Sequence, residues 1–366
     1  MSLSFRFAII SDLHIALPQT IWDHPSRFHL VEVSIPALEQ ALTHLGELDL
    51  DFLLLPGDLT QHGEPENHAW LQQRLAKLPY PVYVVPGNHD VPVLEACDRA
   101  IGFAEFPHYY RKYGYRNPSQ LYYSCEVLPG VRLIGLNSNQ FDDRGKQLGY
   151  LDRPQLAWLE TVLAQIKDEI VLVMVHHNVI EHLPDQAKHP LGQRYMLANA
   201  PVLLDLLHQA GVKLIFTGHL HVQDIATSQN LYEITTGSLV SYPHPYRILQ
   251  FHQDDRGHQE LHIESHRIEG VPQWPQLGQT SREWMGDRSK PFMLRLLTHS
   301  PAQLTPEAAE EYVESLRYFW ADIAQGDSLF EFPHFPPSLQ AYFRRFGAVD
   351  DRGKPRFIDN HATLIL

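Results

Sequence analysis

Cysteine is scarce in this chain: its 366 residues include two, Cys97 and Cys125. Neither belongs to a C-x-x-C pair, which excludes a disulfide framework, a thiolate zinc site and dithiol redox chemistry; both are expected to be ordinary buried thiols. Basic residues are also short, 29 Lys and Arg against 43 Asp and Glu, for a formal net charge of −14. That balance argues against general binding to nucleic acid or anionic membranes, while leaving room for a local cationic centre such as a metal site. Long apolar runs are missing. The N-terminal stretch "MSLSFRFAIISDLH" is interrupted by Arg6 and soon followed by Asp12. It fits neither a signal peptide nor a membrane span, so a soluble, cytoplasmic protein with no membrane partner is expected. There is no internal repeat or low-complexity tract.

What is present is a chain with 44% hydrophobic and 20% charged residues, enough for one large α/β domain with additions. Short runs rich in Val, Ile and Leu recur as "FRFAII", "DFLLL", "PVYVV", "VRLIGL", "IVLVMV" and "VKLIF", and read as central strands. Helical patterns lie between them. In "DRPQLAWLETVLAQIKDE", Asp152 can cap, Pro154 sits in the first turn, and Leu156, Leu159 and Leu163 share a face. "EPENHAWLQQRLAKL" and "APVLLDLLHQAG" read the same way, so the expected architecture is a layered α/β fold. "LYEITTG", "YRILQFHQ" and "QELHIESHRI" then follow without helices, as antiparallel strands completing a second sheet. The main domain is placed at residues 1–268. Residues 269–366 form an extension: loop punctuation, then one amphipathic helix over "TPEAAEEYVESLRYFWADIAQ" with Phe319 and Trp320 on its apolar face. Packing on the domain is the expected role of the extension; a lid or a homodimer arm is the alternative.

The chemistry lies at the strand ends. Five apolar runs are followed by "SDLH", "PGDLT", "PGNHD", "VHHN" and "TGHLH". They supply Asp12, His14, Asp58, Asn88, His89, His176, His219 and His221, residue types that ligate hard or borderline metal ions. In an α/β sheet the carboxyl ends of the strands lie together, so these groups can converge on one crevice. Asp12 and His14 would fall on one side of an extended strand, as would His219 and His221. Gly57, Gly87 and Gly218 precede ligand candidates and allow close backbone approach. Asp58 could bridge two cations through its two oxygens. The ligand count fits two ions roughly 3.5–4 Å apart, a spacing suited to a phosphoester. Any one of these blocks is weak alone, because turns are rich in Asp and Gly and the chain has 23 histidines. All five together, each directly after an apolar run, make the constellation specific.

These blocks resemble the calcineurin-like metallophosphoesterases, whose pattern is D-x-H, G-D, G-N-H-D/E, H and G-H-x-H. Together with "GDLTQHGEPE", "QLAWL" and the paired histidines, they are similar to the group containing class III cyclic-nucleotide phosphodiesterases and glycerophosphodiesterases. The resemblance implies a two-sheet β-sandwich flanked by helices, a four-layer α/β/β/α fold. It implies Asp12, His14, Asp58 and His221 around one ion and Asp58, Asn88, His176 and His219 around the other. His176, rather than His177, takes the family's ligand position. The sequence departs from this group in having "HHNVI" where "HHP" is common, and in continuing through "TTGSLVSYPHPYR" into the long extension.

The chemistry expected is hydrolysis of a small phosphodiester, of cyclic-nucleotide or glycerophosphodiester type, by metal-activated hydroxide. Mn, Fe or Zn suit oxygen and imidazole donors. His89 would stabilise phosphoryl charge or protonate the leaving oxygen, with Asp90 orienting its ring. His62, His182, His244 and Arg247 are candidates for substrate contacts, with Arg247 able to pair with a phosphate. A phosphomonoesterase, including a protein phosphatase, ranks second, since the same ions serve both reactions. A nuclease is disfavoured by charge, and a non-catalytic scaffold by the completeness of the ligand set.

Overall fold

The computed structural model describes residues 2–22, 27–299, 301–350 and 352–366. Its elements begin with β1 (Leu3–Ile9), α1 (Ser34–Gly46), β2 (Phe52–Leu55), α2 (Pro65–Leu75), β3 (Val82–Val84) and α3 (Phe106–Tyr109). β4 (Tyr123–Leu128), β5 (Val131–Gly135), β6 (Asn139–Phe141), β7 (Gln147–Gly149), α4 (Arg153–Gln165) and β8 (Ile170–Met174) follow. Next are α5 (Pro190–Gln193), α6 (Ala200–Gln209), β9 (Leu214–Thr217), β10 (Asp224–Ser228), β11 (Leu231–Thr235), β12 (Pro245–Gln253) and β13 (Gln259–Arg267). The chain ends with α7 (Leu277–Thr298), α8 (Pro306–Val313), α9 (Phe319–Gln325), α10 (Pro337–Arg344) and β14 (His361–Ile365).

Two six-stranded mixed sheets result, ordered β14-β13-β12-β1-β2-β3 and β10-β11-β9-β8-β5-β4. β1, β2 and β3 run parallel, as do β5, β8, β9 and β11. All four residues of β2 are buried, as expected of a strand covered on both faces. Phe5 stacks on Phe251 at 4.8 Å and Phe7 on Phe52 at 4.9 Å within the first sheet. Phe7 also meets Phe216 of the second sheet edge-on at 5.5 Å, so aromatic packing joins the two layers. Asp152 caps α4 by accepting a hydrogen bond from the Gln155 amide.

Several expectations require correction. The strands after β10 do not form one antiparallel set: β11 runs parallel to β9, whereas β12 and β13 return to the first sheet beside β1. Cys97 is exposed and only Cys125 is buried. The stretch after Ile268 includes a 22-residue helix, α7, with Pro291 inside it. Its buried face runs Leu277, Ser281, Met285, Ser289, Met293. Alternating serines and methionines at four-residue spacing hide the apolar stripe that would have marked a helix. The single helix expected next is instead α8, a short 3-10 turn and α9. This bend turns Leu316 and Phe319 into a second core shared by α7 through α10.

That second core also includes Leu220 and Val222, the residues that alternate with His219 and His221. The backbone amide of Gln223 donates to the Ala324 carbonyl at 3.1 Å, and β14 pairs with β13. The helical extension is therefore built directly onto the loop following β9. Among the described residues no helix is long and apolar enough to cross a membrane.

Candidate metal centre

β1, β2, β3, β8 and β9 all end at one rim of the sandwich, where the five histidine- and aspartate-bearing loops meet. The chain does not remain extended there. Asp12, His14, Asp58, His219 and His221 all adopt positive φ, from 42° to 66°. The side chains therefore converge through left-handed kinks rather than through strand alternation. Such backbone conformations are costly for non-glycine residues and persist where the surroundings enforce them. Enforcement comes partly from backbone pairing: the amides of Asp12 and His14 donate to the carbonyls of Gly57 and Asp58 at 3.2 and 2.9 Å. A Cβ on Gly87 would lie 2.2 Å from Asp58 Oδ1, and one on Gly218 would lie 2.4 Å from Asp12 Oδ2. Both glycines are thus required by close approach.

Potential ligand atoms within 4.8 Å of one another fall into overlapping groups: Asp12, His14, Asp58 and His221, and Asp58, His176 and His219. Asp58 belongs to both. Its Oδ1 accepts the His89 amide at 2.8 Å, whereas Oδ2 lies 3.7 Å from His14 Nε2 and 3.4 Å from His176 Nε2. Oδ2, rather than both oxygens, is thus the atom that faces both groups. Asn88 Oδ1 lies 3.2 Å from His176 Nε2, joining the second group. On the other side, His221 Nε2 is 2.9 Å from Asp12 Oδ1.

The protonation pattern suits cation binding. Burial, reinforced by neighbouring imidazoles, holds His14 and His219 well below the usual histidine range, in the neutral form that ligates metals. Both ring nitrogens of His14 are buried without hydrogen-bond partners. The Nδ1–H of His176 donates to the Pro56 carbonyl at 2.8 Å, aiming Nε2 at Asp58. Burial opposes a charge on His176, but Asp58 overrides it and raises its pKa to about 9. The field that draws a proton there would draw a cation. These donors fit a pair of hard or borderline divalent ions.

Around this cluster is a crevice of about 720 Å³, lined by His62 and His89 as well as His14, Asp58, Asn88, His219 and His221. His89 Nδ1 is 2.6 Å from the Gln61 carbonyl, which leaves Nε2 outside that contact. That contact corrects the role assigned to Asp90, which does not orient the ring. Asp90 is fully buried and accepts from the Thr60 and Gly87 amides at 2.9 and 2.8 Å, bracing the two loops. His62 stacks on His89 with centroids 5.0 Å apart. His177, beside His176, also lines the crevice, and its Nδ1 is 2.7 Å from Ser138 Oγ.

Three residues proposed for substrate contact lie elsewhere. His244 is fully buried and its Nδ1–H donates to the Leu239 carbonyl. Arg247 is fully buried on β12, where it donates to the Asp359 and Thr235 carbonyls and to Ser265 Oγ, pinning the C-terminal strand region. His182 is enclosed by Asp224, 2.6 Å from Nδ1, and Glu233, 3.1 Å from Nε2. All three follow motif loops in sequence but turn into the interior.

His182 carries a prediction of its own. Burial opposes its charge, but Glu233 and Asp224 raise its pKa to about 10 from the ordinary 6.5. A raised folded-state value stabilises the fold below about pH 6.5, and that contribution is lost as the pH climbs through 10. The unfolding free-energy difference between wild type and His182→Gln is therefore expected to shrink steadily from pH 7 to 10. A difference independent of pH in denaturant titrations would show that His182 is neutral in the fold.

Other crevice residues escaped the sequence reading. His29 stacks on His14 at 4.3 Å and meets His221 edge-on at 4.8 Å, forming a further group with them. It stands in no motif, and nothing distinguished it among 23 histidines. Tyr195, Phe292 and Trp320 also line the crevice. Trp320, expected on an apolar helix face, is half-buried against the second core and also lines the crevice.

Comparison with known proteins identifies the family. Residues 5–223 match the calcineurin-like phosphoesterase family. The chain belongs to that family. A protein of Arcobacter nitrofigilis named as a probable glycerophosphodiester phosphodiesterase is 31% identical over 156 residues, 41% of this chain and 52% of the relative. A 3',5'-cyclic-nucleotide phosphodiesterase of Nostoc is 28% identical over 47% of this chain and 56% of its own length. The match thus spans about half the length of these relatives. A dimetal phosphatase from Danio rerio shares the fold with a TM-score of 0.50 at 16% identity, over 72% of this chain and 96% of that one.

Proposed function

We propose that this protein is a dinuclear metal-dependent phosphodiesterase for a small substrate of cyclic-nucleotide or glycerophosphodiester type. The observation that carries the reading is the sharing of Asp58 between two adjoining groups of imidazole and carboxylate donors beside one crevice. Asp12, His14, Asp58 and His221 would hold one ion; Asp58, Asn88, His176 and His219 would hold the other, with Mn, Fe or Zn matching the donors. Two such ions, when bound, polarise the phosphoryl oxygens and acidify water. The chain's own contribution is positional. Asp58 is fixed by the His89 amide, His176 by the Pro56 carbonyl, and the His89 ring by the Gln61 carbonyl. His89 Nε2 then carries the proton for the leaving oxygen or stabilises phosphoryl charge. The relatives named as phosphodiesterases support a diester over a monoester substrate.

The deciding experiment compares turnover of a model phosphodiester with that of the matching monoester by Mn²⁺-loaded protein. Faster diester turnover supports the proposal; faster monoester turnover moves the assignment to a phosphatase. His89→Ala is expected to retain its metal and lose at least tenfold in kcat, the lower end of what acid–base groups contribute. Unchanged kcat in a metal-replete variant would remove His89 from the mechanism.

A further inference from the structure

We propose that Phe292 and Trp320, carried by the helices beyond residue 268, form with Tyr195 an aromatic subsite for the substrate's leaving group. The preferred substrate would then be a phosphodiester whose alcohol carries a flat, unsaturated ring. This rests on the phosphodiesterase reading and extends it to the organic part of the substrate.

The crevice has two chemically different ends. One is the imidazole and carboxylate cluster. The other begins at Tyr195, whose ring meets His219 edge-on at 5.1 Å and is covered on one face by the Arg194 guanidinium at 4.6 Å. Beyond it are Phe292 and Trp320, with ring centroids 5.2 Å apart. Tyr195, Phe292 and Trp320 also line a small apolar recess adjoining the crevice. The aromatic surface therefore runs from an ion-binding histidine into an apolar hollow. A phosphate held at the cluster would direct one ester substituent along it.

Trp320 packs against the second core and still lines the crevice. Phe319 is buried in the second core, whereas Trp320 remains half-buried and lines the crevice. Phe292 is likewise half-buried while the next residue, Met293, is fully enclosed. Rings held by a packed scaffold lose little entropy when a second ring stacks on them, and such stacking does not depend on the identity of the incoming ring. A small polar alcohol gains nothing from this wall.

The test uses the Mn²⁺-loaded 366-residue chain and two symmetric diesters, bis(2-phenylethyl) phosphate and diethyl phosphate. Wild type is expected to favour the first. Phe292→Ala and Trp320→Ala should lower the ratio of its kcat/KM to that of diethyl phosphate by about tenfold or more, and both should melt earlier, because the two rings also pack against the second core. Trp320→Phe should restore most of the loss. In parallel, calorimetry of 2-phenylethylphosphonate and ethylphosphonate measures the same preference without turnover. Equal binding of the two phosphonates, or equal losses on both diesters, overturns the subsite. Hydrolysis of neither diester with the phosphonate preference intact would overturn the phosphodiesterase reading and leave the subsite standing.

Discussion

Asp58→Asn is expected to strip both ions from the protein and reduce turnover to background, although the substitution barely changes side-chain shape. Asp58 Oδ2 lies between His14 and His176, so its charge serves both ligand groups. Loss of an outer-shell partner costs roughly 10–100-fold in metal affinity. Removal of a shared carboxylate should exceed the upper end of that range at each position. Elemental analysis after dialysis against micromolar Mn²⁺ gives the answer. Two ions retained at wild-type affinity would mean that Asp58 is a structural acid and that the dinuclear reading is wrong. The His89 amide bond to Oδ1 can survive in the Asn variant, so metal loss can be separated from collapse of the loop.

The second large effect is expected from a residue that touches no ion. Leu220 stands between His219 and His221, and its side chain is buried in the core built by α7 through α10. Leu220→Ala should cost about 2–5 kcal/mol of stability, as burial of a fully enclosed leucine implies. It should also weaken metal binding, because the left-handed conformations at His219 and His221 depend on that anchorage. Leu207→Ala on α6 is the control: it is equally buried, but in a different core. Both variants should melt earlier, and only Leu220→Ala should need more Mn²⁺ to saturate. Identical metal affinity in the two variants would show that the extension does not support the ion-binding loop.

The ligand candidates were legible because each stands directly after a short apolar run, and the carboxyl ends of neighbouring parallel strands are neighbours in space. Glycine spacing was equally legible, since Gly87 and Gly218 lie where a Cβ would strike a ligand carboxylate. The reason assigned to D-x-H and H-x-H spacing was wrong, because positive φ angles, not strand alternation, aim those side chains. His182, His244 and Arg247 failed as substrate contacts for a related reason. Proximity in sequence to a motif does not say which way a loop turns, and these three turn into buried hydrogen-bonding positions. The helix α7 was hidden because serines occupy alternate places on its buried face.

By itself, the sequence determined that this protein has a layered α/β architecture and a candidate ligand set of aspartate, asparagine and histidine at five strand ends. Those features depend on local patterning: β-branched apolar runs make strands, and polar residues directly after them must emerge at the sheet edge. Only the tertiary structure decided that Asp58 Oδ2 faces both histidine groups, that His29 joins the cluster, and that the C-terminal helices pack on the loop carrying His219 and His221 while walling the crevice with Phe292 and Trp320. These contacts join residues tens to hundreds of positions apart. They are settled by which buried faces fit together, and no local pattern records that fit.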